Sequence, residues 1–386
     1  MGRAHSFEIL ERCLKNGDRT LWFHCASLGE YEQGLPVFEL LRKHYPNHKI
    51  LLSFFSPSGY EIRKNSPIAN VVIYLPLDSP QNAKRFIKLL RPELTVFVKY
   101  DIWPNYLKAL KGYNLKAILI SANFRKNQIY FKPYGKILRE ALFAFEHIFV
   151  QEAASKSLLE SIGYMQVSVS GDTRFDRVSN QLHINNHLGF ITSFKGESTC
   201  VVIGSSWPED EAILLPFINK TASGTVKFII APHEIKPSHI QDIQKKLTVK
   251  TICFSEKDGK NLSEFSVLIL DTVGLLSKVY SYADVAYVGG AMGHTGLHNI
   301  LEPAVFGAPI IIGHNYLKFP EATAMISDAG VTSVKNEHEL KLLLQRYLES
   351  QSLRTLEGKK NSDYVKLHQG AVNEVMTYLD LSVKNC

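Results

Sequence analysis

Short runs of β-branched and aromatic residues alternate with longer amphipathic stretches along the first half of the chain. The strand-like runs are LWFHCA (21–26), KILLSFF (49–55), NVVIYLP (70–76), LTVFVK (94–99) and KAILISA (116–122). Helix-like segments such as EQGLPVFELLRKHY (32–45) and SPQNAKRFIKLL (79–90) lie between them. HIFVQ (147–151) and QVSVSG (166–171) bracket a further helix, EAASKSLLESIG. This spacing predicts βαβ units and a parallel sheet. Residues 179–198 are polar and aperiodic and read as a linker. The pattern then restarts with TCVVIGSS (199–206), VKFIIAPH (226–233), VKTICFS (249–255), FSVLILD (265–271), ADVAYVGG (283–290) and APIIIGH (308–314), and ends in helical, charge-rich sequence from about 337. The expectation is an α/β chain of two doubly wound, Rossmann-like domains, 1–178 and 199–386, with the last helix free to pack back on the first. Open sheets of this kind bind ligands beyond the carboxyl ends of their strands, and two in succession leave a cleft.

Length agrees with two domains: 386 residues is well over the roughly 150 of a typical one. With 45% apolar and 21% charged residues, the chain is neither disordered nor fibrous. The cysteines, Cys13, Cys25, Cys200, Cys253 and Cys386, are odd in number and form no C-x-x-C. That points away from a disulfide framework or zinc ribbon and towards a reducing compartment. No apolar run reaches the roughly 20 residues needed to span a bilayer, and no signal peptide is evident. The net charge of +7 is uneven: residues 1–178 hold 25 Lys/Arg against 16 Asp/Glu, and residues 179–386 hold 19 against 21. A first half at +9 and a second at −2 imply that the first meets something anionic: nucleic acid, a membrane face or a phosphorylated substrate.

Four loops that leave strands and open helices carry candidate chemistry. In Ser27-Leu28-Gly29-Glu30, Gly29 permits a tight turn or close ligand approach. Glu30 fits either a general base or a carboxylate complementing the helix dipole. In Lys99-Tyr100-Asp101-Ile102-Trp103-Pro104-Asn105, Pro104 suits the first turn of a helix. Lys99 and Asp101 face a site or solvent, and Trp103 is a core anchor or a sugar platform. Gly204-Ser205-Ser206 offers N–H groups and hydroxyls to an anion, or caps the helix opened by Pro208-Glu209-Asp210-Glu211. The richest stretch runs from Gly289 to Glu302. A helix beginning near His298-Asn299 would make an anion site, with Glu302 one turn after His298 accepting hydrogen bonds from sugar hydroxyls. No Rossmann G-x-G-x-x-G, Walker loop or G-x-S-x-G elbow occurs. Asp-x-Asp is absent too, and the His294/His298 pair is interrupted by Gly296, so no metal is expected.

Taken together, these motifs resemble the 3-deoxy-D-manno-octulosonic acid (Kdo) transferases of lipopolysaccharide assembly, glycosyltransferase family 30. WFHCASLGEYEQGLPVFELL (22–41) is followed, in family order, by SFFSPSGYE (53–61), YLPLDSP (74–80), IWPN (102–105), SAN (121–123), GDTRFDRV (171–178), GSSWPEDE (204–211), APHE (231–234) and GGAMGHTGLHNILEPAVFGAPIIIGHNYLKFPEA (289–322). The resemblance implies a GT-B fold and inverting transfer of Kdo from CMP-Kdo to a lipid A precursor of the lipid IVA type, with Glu30 as base. It implies Ser27, Gly29, Ser56, Lys99, Asp101 and Asn123 on the acceptor side. It implies Ser205, Ser206, His233, Gly290, Gly296, His298, Asn299 and Glu302 on the donor side, with no cofactor beyond the donor and no nucleic acid as partner.

Where the family commonly has E-T-E-L-W-P-N, this chain replaces one acid by Lys99 and shortens the other to Asp101. The family's usual anchor helix is not read here. The expected location is therefore peripheral, on the cytoplasmic side of the bacterial inner membrane. There the basic first half would meet an anionic surface, aided by apolar residues near Tyr60 and Ile68. Two alternatives stay open: an enzyme like UDP-N-acetylglucosamine 2-epimerase, and a non-catalytic nucleotide- or lipid-binding relative. CMP binding, UDP binding and neither distinguish the three.

Overall fold

A computed structural model describes residues 2–384. The chain forms two compact units: residues up to Arg177 together with those from His368, and Val178–Leu367. The stretch read as a linker therefore groups with the second unit. It contains the end of a helix, Thr173–Asn180, and a short helix, Gly189–Lys195, that buries Ile191 and Phe194. Two inward side chains in seven residues are too few to show a period.

The first unit is a seven-stranded parallel sheet. Its strands are β1 (Thr20–Cys25), β2 (Lys49–Phe54), β3 (Val71–Tyr74), β4 (Leu94–Val98), β5 (Lys116–Ala122), β6 (His147–Val150) and β7 (Val167–Val169). They lie in the order β3-β2-β1-β4-β5-β6-β7. β1 and β4 are buried throughout, as expected of a parallel sheet covered on both faces. Successive side chains feed opposite faces. Trp22, Leu51, Phe97 and Leu119 pack with the helices Pro80–Leu90 and Pro104–Gly112. Phe23, Leu52, Val96 and Ile120 pack with the helix Leu28–His44. The final helix, Ala371–Lys384, adds Val375 and Leu379 to that second face.

The second unit repeats the plan with β8 (Thr199–Ser206), β9 (Val226–Pro232), β10 (Thr251–Cys253), β11 (Val267–Ile269), β12 (Val285–Val288), β13 (Ile310–Ile312) and β14 (Val331–Ser333). The order is β10-β11-β9-β8-β12-β13-β14, all parallel. β14 was not legible in the sequence, because a three-residue edge strand shows no alternation. The strand order reverses between β1 and β4 in one sheet and between β8 and β12 in the other. Each reversal opens a crevice at the carboxyl ends of those strands. All four chemistry-bearing loops leave these four strands. Among the described residues, no helix is long and apolar enough to cross a membrane.

Candidate active site

In the first unit, β1 delivers Glu30 into the third position of the helix Leu28–His44. There its Oε2 accepts the Ser27 N–H at 2.9 Å. Gly29 lies in the first helical turn without a positive φ, so a tight turn is not what requires it. A Cβ there would meet nothing nearer than Ser27 Oγ at 4.0 Å, which leaves the surface beside Glu30 open. Ser56 caps the helix Pro57–Arg63, accepting the Ser58 N–H, and its own N–H donates to Ala26 O at 2.7 Å. The β2 loop is thereby tied to the Glu30 loop. From β5, Asn123 donates to Gln151 Oε1.

Directly after β4, Lys99 is held at φ 68 in the left-handed region where non-glycine residues are rare. That bend turns Asp101 inward. Glu30 and Asp101 are 8% and 9% exposed, two buried carboxyls beyond the ends of the paired strands β1 and β4. Burial raises the Glu30 carboxyl above the ordinary range, against the Ser27 and Ala26 N–H groups and the Lys99 charge, which lower it. Burial and the neighbouring Glu30 push Asp101 up as well. Lys99 thus supplies positive charge near Glu30.

Sequence reasoning assigned His24 no role. It is fully buried on β1, with Nε2 3.4 Å from Asp101 Oδ2 and Nδ1 2.8 Å from Ser53 Oγ. Burial lowers its imidazole to about 3, so the ring is neutral. Trp103 packs tilted against Phe55 and edge-on against His24, at 4.8 and 5.6 Å between centroids, with its Nε1 buried and unbonded. Another buried network, Ser121–Thr173 and Gln33–Asp172, joins the end of β5 to the GDTRFDRV segment.

In the second unit the glycine-rich loop is a compact knot. Asp210, fully buried, accepts from Trp207 N at 2.9 Å, Gly290 N at 2.8 Å and Tyr287 Oη at 2.8 Å. Asn315 donates to Gly293 O at 2.8 Å. A Cβ on Gly290 would lie 2.0 Å from Gly296 O, and Gly290 has φ +97, so close packing of the loop on itself demands glycine there. Sequence reasoning saw Asp210 only as part of an acidic helix start. A carboxylate three residues after the cap was the one available signal.

The expected helix does not begin near His298-Asn299. It spans Leu301–Val305, because Asn299 Oδ1 takes the Leu301 N–H and holds the preceding residues in a turn. Glu302 accepts from Ser277 Oγ at 2.8 Å and from Asn299 Nδ2 at 3.2 Å. His233 stacks on Trp207 at 4.5 Å and lies 4.5 Å from His298. His298 Nε2 accepts from Trp207 Nε1 at 3.3 Å, and burial, with His233 nearby, lowers its imidazole to about 4. Ser205 sits at φ 54 in a bulge of β8. The buried Ser206 hydroxyl is committed to Glu211 at 2.9 Å. A cavity of about 360 Å³ adjoins Gly296, lined by His294, Thr295, His314, Lys318 and Phe319 among others, a volume within the range of small-molecule sites. Among the described residues, no group of three or more His, Cys, Asp or Glu stands together as a metal site.

Two helix-flanked parallel sheets of this topology define a GT-B-type fold, the architecture of a large class of glycosyltransferases. Solved structures share it at low identity. A glycosyltransferase from Rickettsia africae is 11% identical with a TM-score of 0.62, over 96% of this chain and 100% of that one. A UDP-GlcNAc 2-epimerase from Neisseria meningitidis is 16% identical with a TM-score of 0.59, over 91% and 98%. Sequence is more specific. The family described as 3-deoxy-D-manno-octulosonic-acid transferase (kdotransferase) matches residues 3–177. The 3-deoxy-D-manno-octulosonic acid transferase of Aquifex aeolicus is 30% identical over 345 residues, covering 86% of this chain and 89% of the relative. That of Haemophilus influenzae is 26% identical over 371 residues, covering 93% and 86%. The chain belongs to the 3-deoxy-D-manno-octulosonic acid transferase family.

Proposed function

We propose that the protein transfers Kdo from CMP-Kdo to a lipid A precursor of the lipid IVA type, with inversion. Glu30 removes the proton from the acceptor hydroxyl as that oxygen attacks the anomeric carbon. The bond to the donor phosphate breaks and its electron pair leaves with CMP. The observation that carries this reading is a buried carboxylate, raised by burial, at the switch point of the first sheet. A base of raised pKa is matched to proton abstraction near neutral pH. Ser27, Gly29, Ser56, Lys99, Asp101 and Asn123 border the acceptor. Ser205, His233, Gly290, Gly296, His298 and Asn299 hold the nucleotide, Ser206 supports that turn through Glu211, and Glu302 takes the ribose. One donor phosphate carries less charge than a diphosphate, and no Asp-x-Asp is present, so transfer proceeds in chelator.

The acceptor is a lipid, and we propose that the first unit docks on the anionic cytoplasmic face of the inner membrane. Ile68 is buried and Tyr60 stacks on Tyr74 at 4.1 Å, so the apolar contribution expected near them falls to Ile62, which is 59% exposed. The segment after Asn123 offers more. Tyr134 and Ile137 are 78% and 75% exposed, Arg125, Lys126 and Lys136 are exposed beside them, and no acid occurs between 123 and 139.

Mass spectrometry of products from CMP-Kdo and a tetra-acylated acceptor tests the reaction. Glu30→Gln should lower kcat by 10²–10⁴-fold, the usual worth of a general base, with CMP affinity unchanged. A variant keeping more than about a tenth of the wild-type rate would remove Glu30 from the role. Transfer from a UDP-sugar but not from CMP-Kdo would replace the donor.

A further inference from the structure

We propose that the cavity between the loops after β12 and β13 seats the carboxylate of a sugar-acid donor, with Lys318 as the residue that selects it over a neutral sugar. The inference rests on the reading of CMP-Kdo as the donor. Kdo carries a carboxylate on its anomeric carbon, so the sugar brings a second negative charge close beside the phosphate.

The walls of the cavity are set by the fold. β12 and β13 are neighbours in the sheet, and the loops that leave their carboxyl ends are stitched together. Asn315 donates its backbone N–H to Ala291 O at 2.9 Å and its side chain to Gly293 O at 2.8 Å. A Cβ on Gly313 would lie 2.3 Å from Ala291 C and Met292 N, so glycine is what lets the loops touch. Gly296, at φ +104, faces the Phe319 ring, which a Cβ there would meet at 3.4 Å. The gap of about 360 Å³ opens beside these contacts.

The lining carries one sign of charge. Lys318, His294 and His314 border the cavity and no acidic residue does. Lysine is an ammonium with three donors and no acceptor, and each imidazole offers at least one N–H. All three residues are exposed, and none has a side-chain hydrogen bond or ion pair among the described residues. A second cavity that shares His314 adds Lys335 and again no acid. Two acids stand nearby without lining either cavity: Glu209, whose Cδ a Cβ on Gly293 would approach to 2.9 Å, and Glu321 in the first turn of the helix Pro320–Asp328. Cations gathered around a hollow focus their field on what enters it.

The rim is continuous with the loop assigned to the nucleotide. Thr295 Oγ1 and Gly296 N–H both donate to Gly290 O, at 3.3 and 3.2 Å. A donor held by its phosphate at that loop presents its carboxylate to this rim. A neutral sugar there would strip water from the Lys318 ammonium and return no charge, and a site built for a polar group rejects analogues that lack it.

Calorimetry on the full chain with CMP-Kdo and with CMP, which has the phosphate but no sugar carboxylate, tests the assignment. Wild type should bind CMP-Kdo more tightly than CMP. Lys318→Met should weaken CMP-Kdo about tenfold or more, the worth of a hydrogen bond to a charged group, and leave CMP within about threefold. Lys318→Arg keeps the charge and the donors and should hold CMP-Kdo more tightly than Lys318→Met does. Equal losses for both ligands would put Lys318 on the phosphate and overturn the proposal. So would an unchanged CMP-Kdo affinity in Lys318→Met, even if that variant still transfers Kdo and the transferase reading stands. A loss confined to CMP-Kdo upholds the carboxylate seat even if no Kdo reaches a lipid acceptor, a result that would sink the transferase reading alone.

Discussion

At the scale of single residues, the site is made by carboxylates in three different settings. Glu30 is raised by burial and borders open surface, the condition of a base. Asp210 is fully buried, and its hydrogen bonds go to the loop it ties down, so its work is structural. Glu302 stands between these cases. Ser277 and Asn299 orient its carboxylate, yet two oxygens have lone pairs to spare. If ribose hydroxyls donate to it, Glu302→Ala should weaken CMP by about 1.5–3 kcal/mol, the worth of hydrogen bonds to a charged group. The same change should barely affect 2′,3′-dideoxy-CMP. Calorimetry with both ligands decides the matter: equal losses would mean that Glu302 acts only by holding Ser277 and Asn299.

Single elements show where local geometry is under constraint. Gly290 has φ +97 and no space for a Cβ. Gly290→Ala should cost about 1–3 kcal/mol or more in strain, displace the 289–298 loop and abolish CMP binding. The first unit should keep its own unfolding transition, and CMP affinity within about threefold of wild type would show that this loop does not carry the nucleotide. At the entry ends of β1 and β4, Glu93 accepts from Arg19 at 2.6 and 2.8 Å and lies 3.1 Å from His48. The Arg19 hydrogen bond, with help from His48, lowers its carboxyl to about 2. A carboxylate whose folded value lies below its unfolded value stabilises the fold fully above the unfolded value, roughly 4.3. That stability drains away as pH falls towards 2. Thermal melts should therefore show Glu93→Gln less stable than wild type at neutral pH, with the two converging in acid. A constant gap across that window would assign the effect to packing.

For the whole molecule the relevant quantity is the charge asymmetry between the two halves, +9 against −2. Screening shortens from about 10 Å at 0.1 M salt to 3 Å at 1 M, so attraction to a membrane through this charge must be salt-sensitive. The chain should co-sediment with phosphatidylglycerol-rich vesicles at low salt and be released by about 0.5 M. Neutral vesicles should hold it weakly. Replacing Tyr134 and Ile137 with serine should remove any salt-resistant remainder. Binding that is equal for both vesicle types and indifferent to salt would separate the charge from membrane docking.

The sequence by itself determined both parallel sheets and the loops that carry the chemistry. β5 and β8 match their sequence runs end to end, because a strand buried on both faces declares itself as a continuous apolar run with no help from distant residues. Glu30, Asp101 and Glu302 were legible for a similar local reason: charged groups directly after such runs stand at strand ends or helix starts. Only the tertiary structure decided what those groups do to each other. That Asp101 lies against His24 and is buried on the same side as Glu30 depends on β4 lying beside β1, a neighbour relation that jumps two strands in sequence. That Asp210 organises a loop some 80 residues away depends on β8 lying beside β12. The displaced helix start at Leu301 turns on one side-chain hydrogen bond from Asn299. The final helix joins the first unit because Val375 and Leu379 find their apolar partners there. Periodicity records which face of an element is buried; it carries no record of which distant element covers that face.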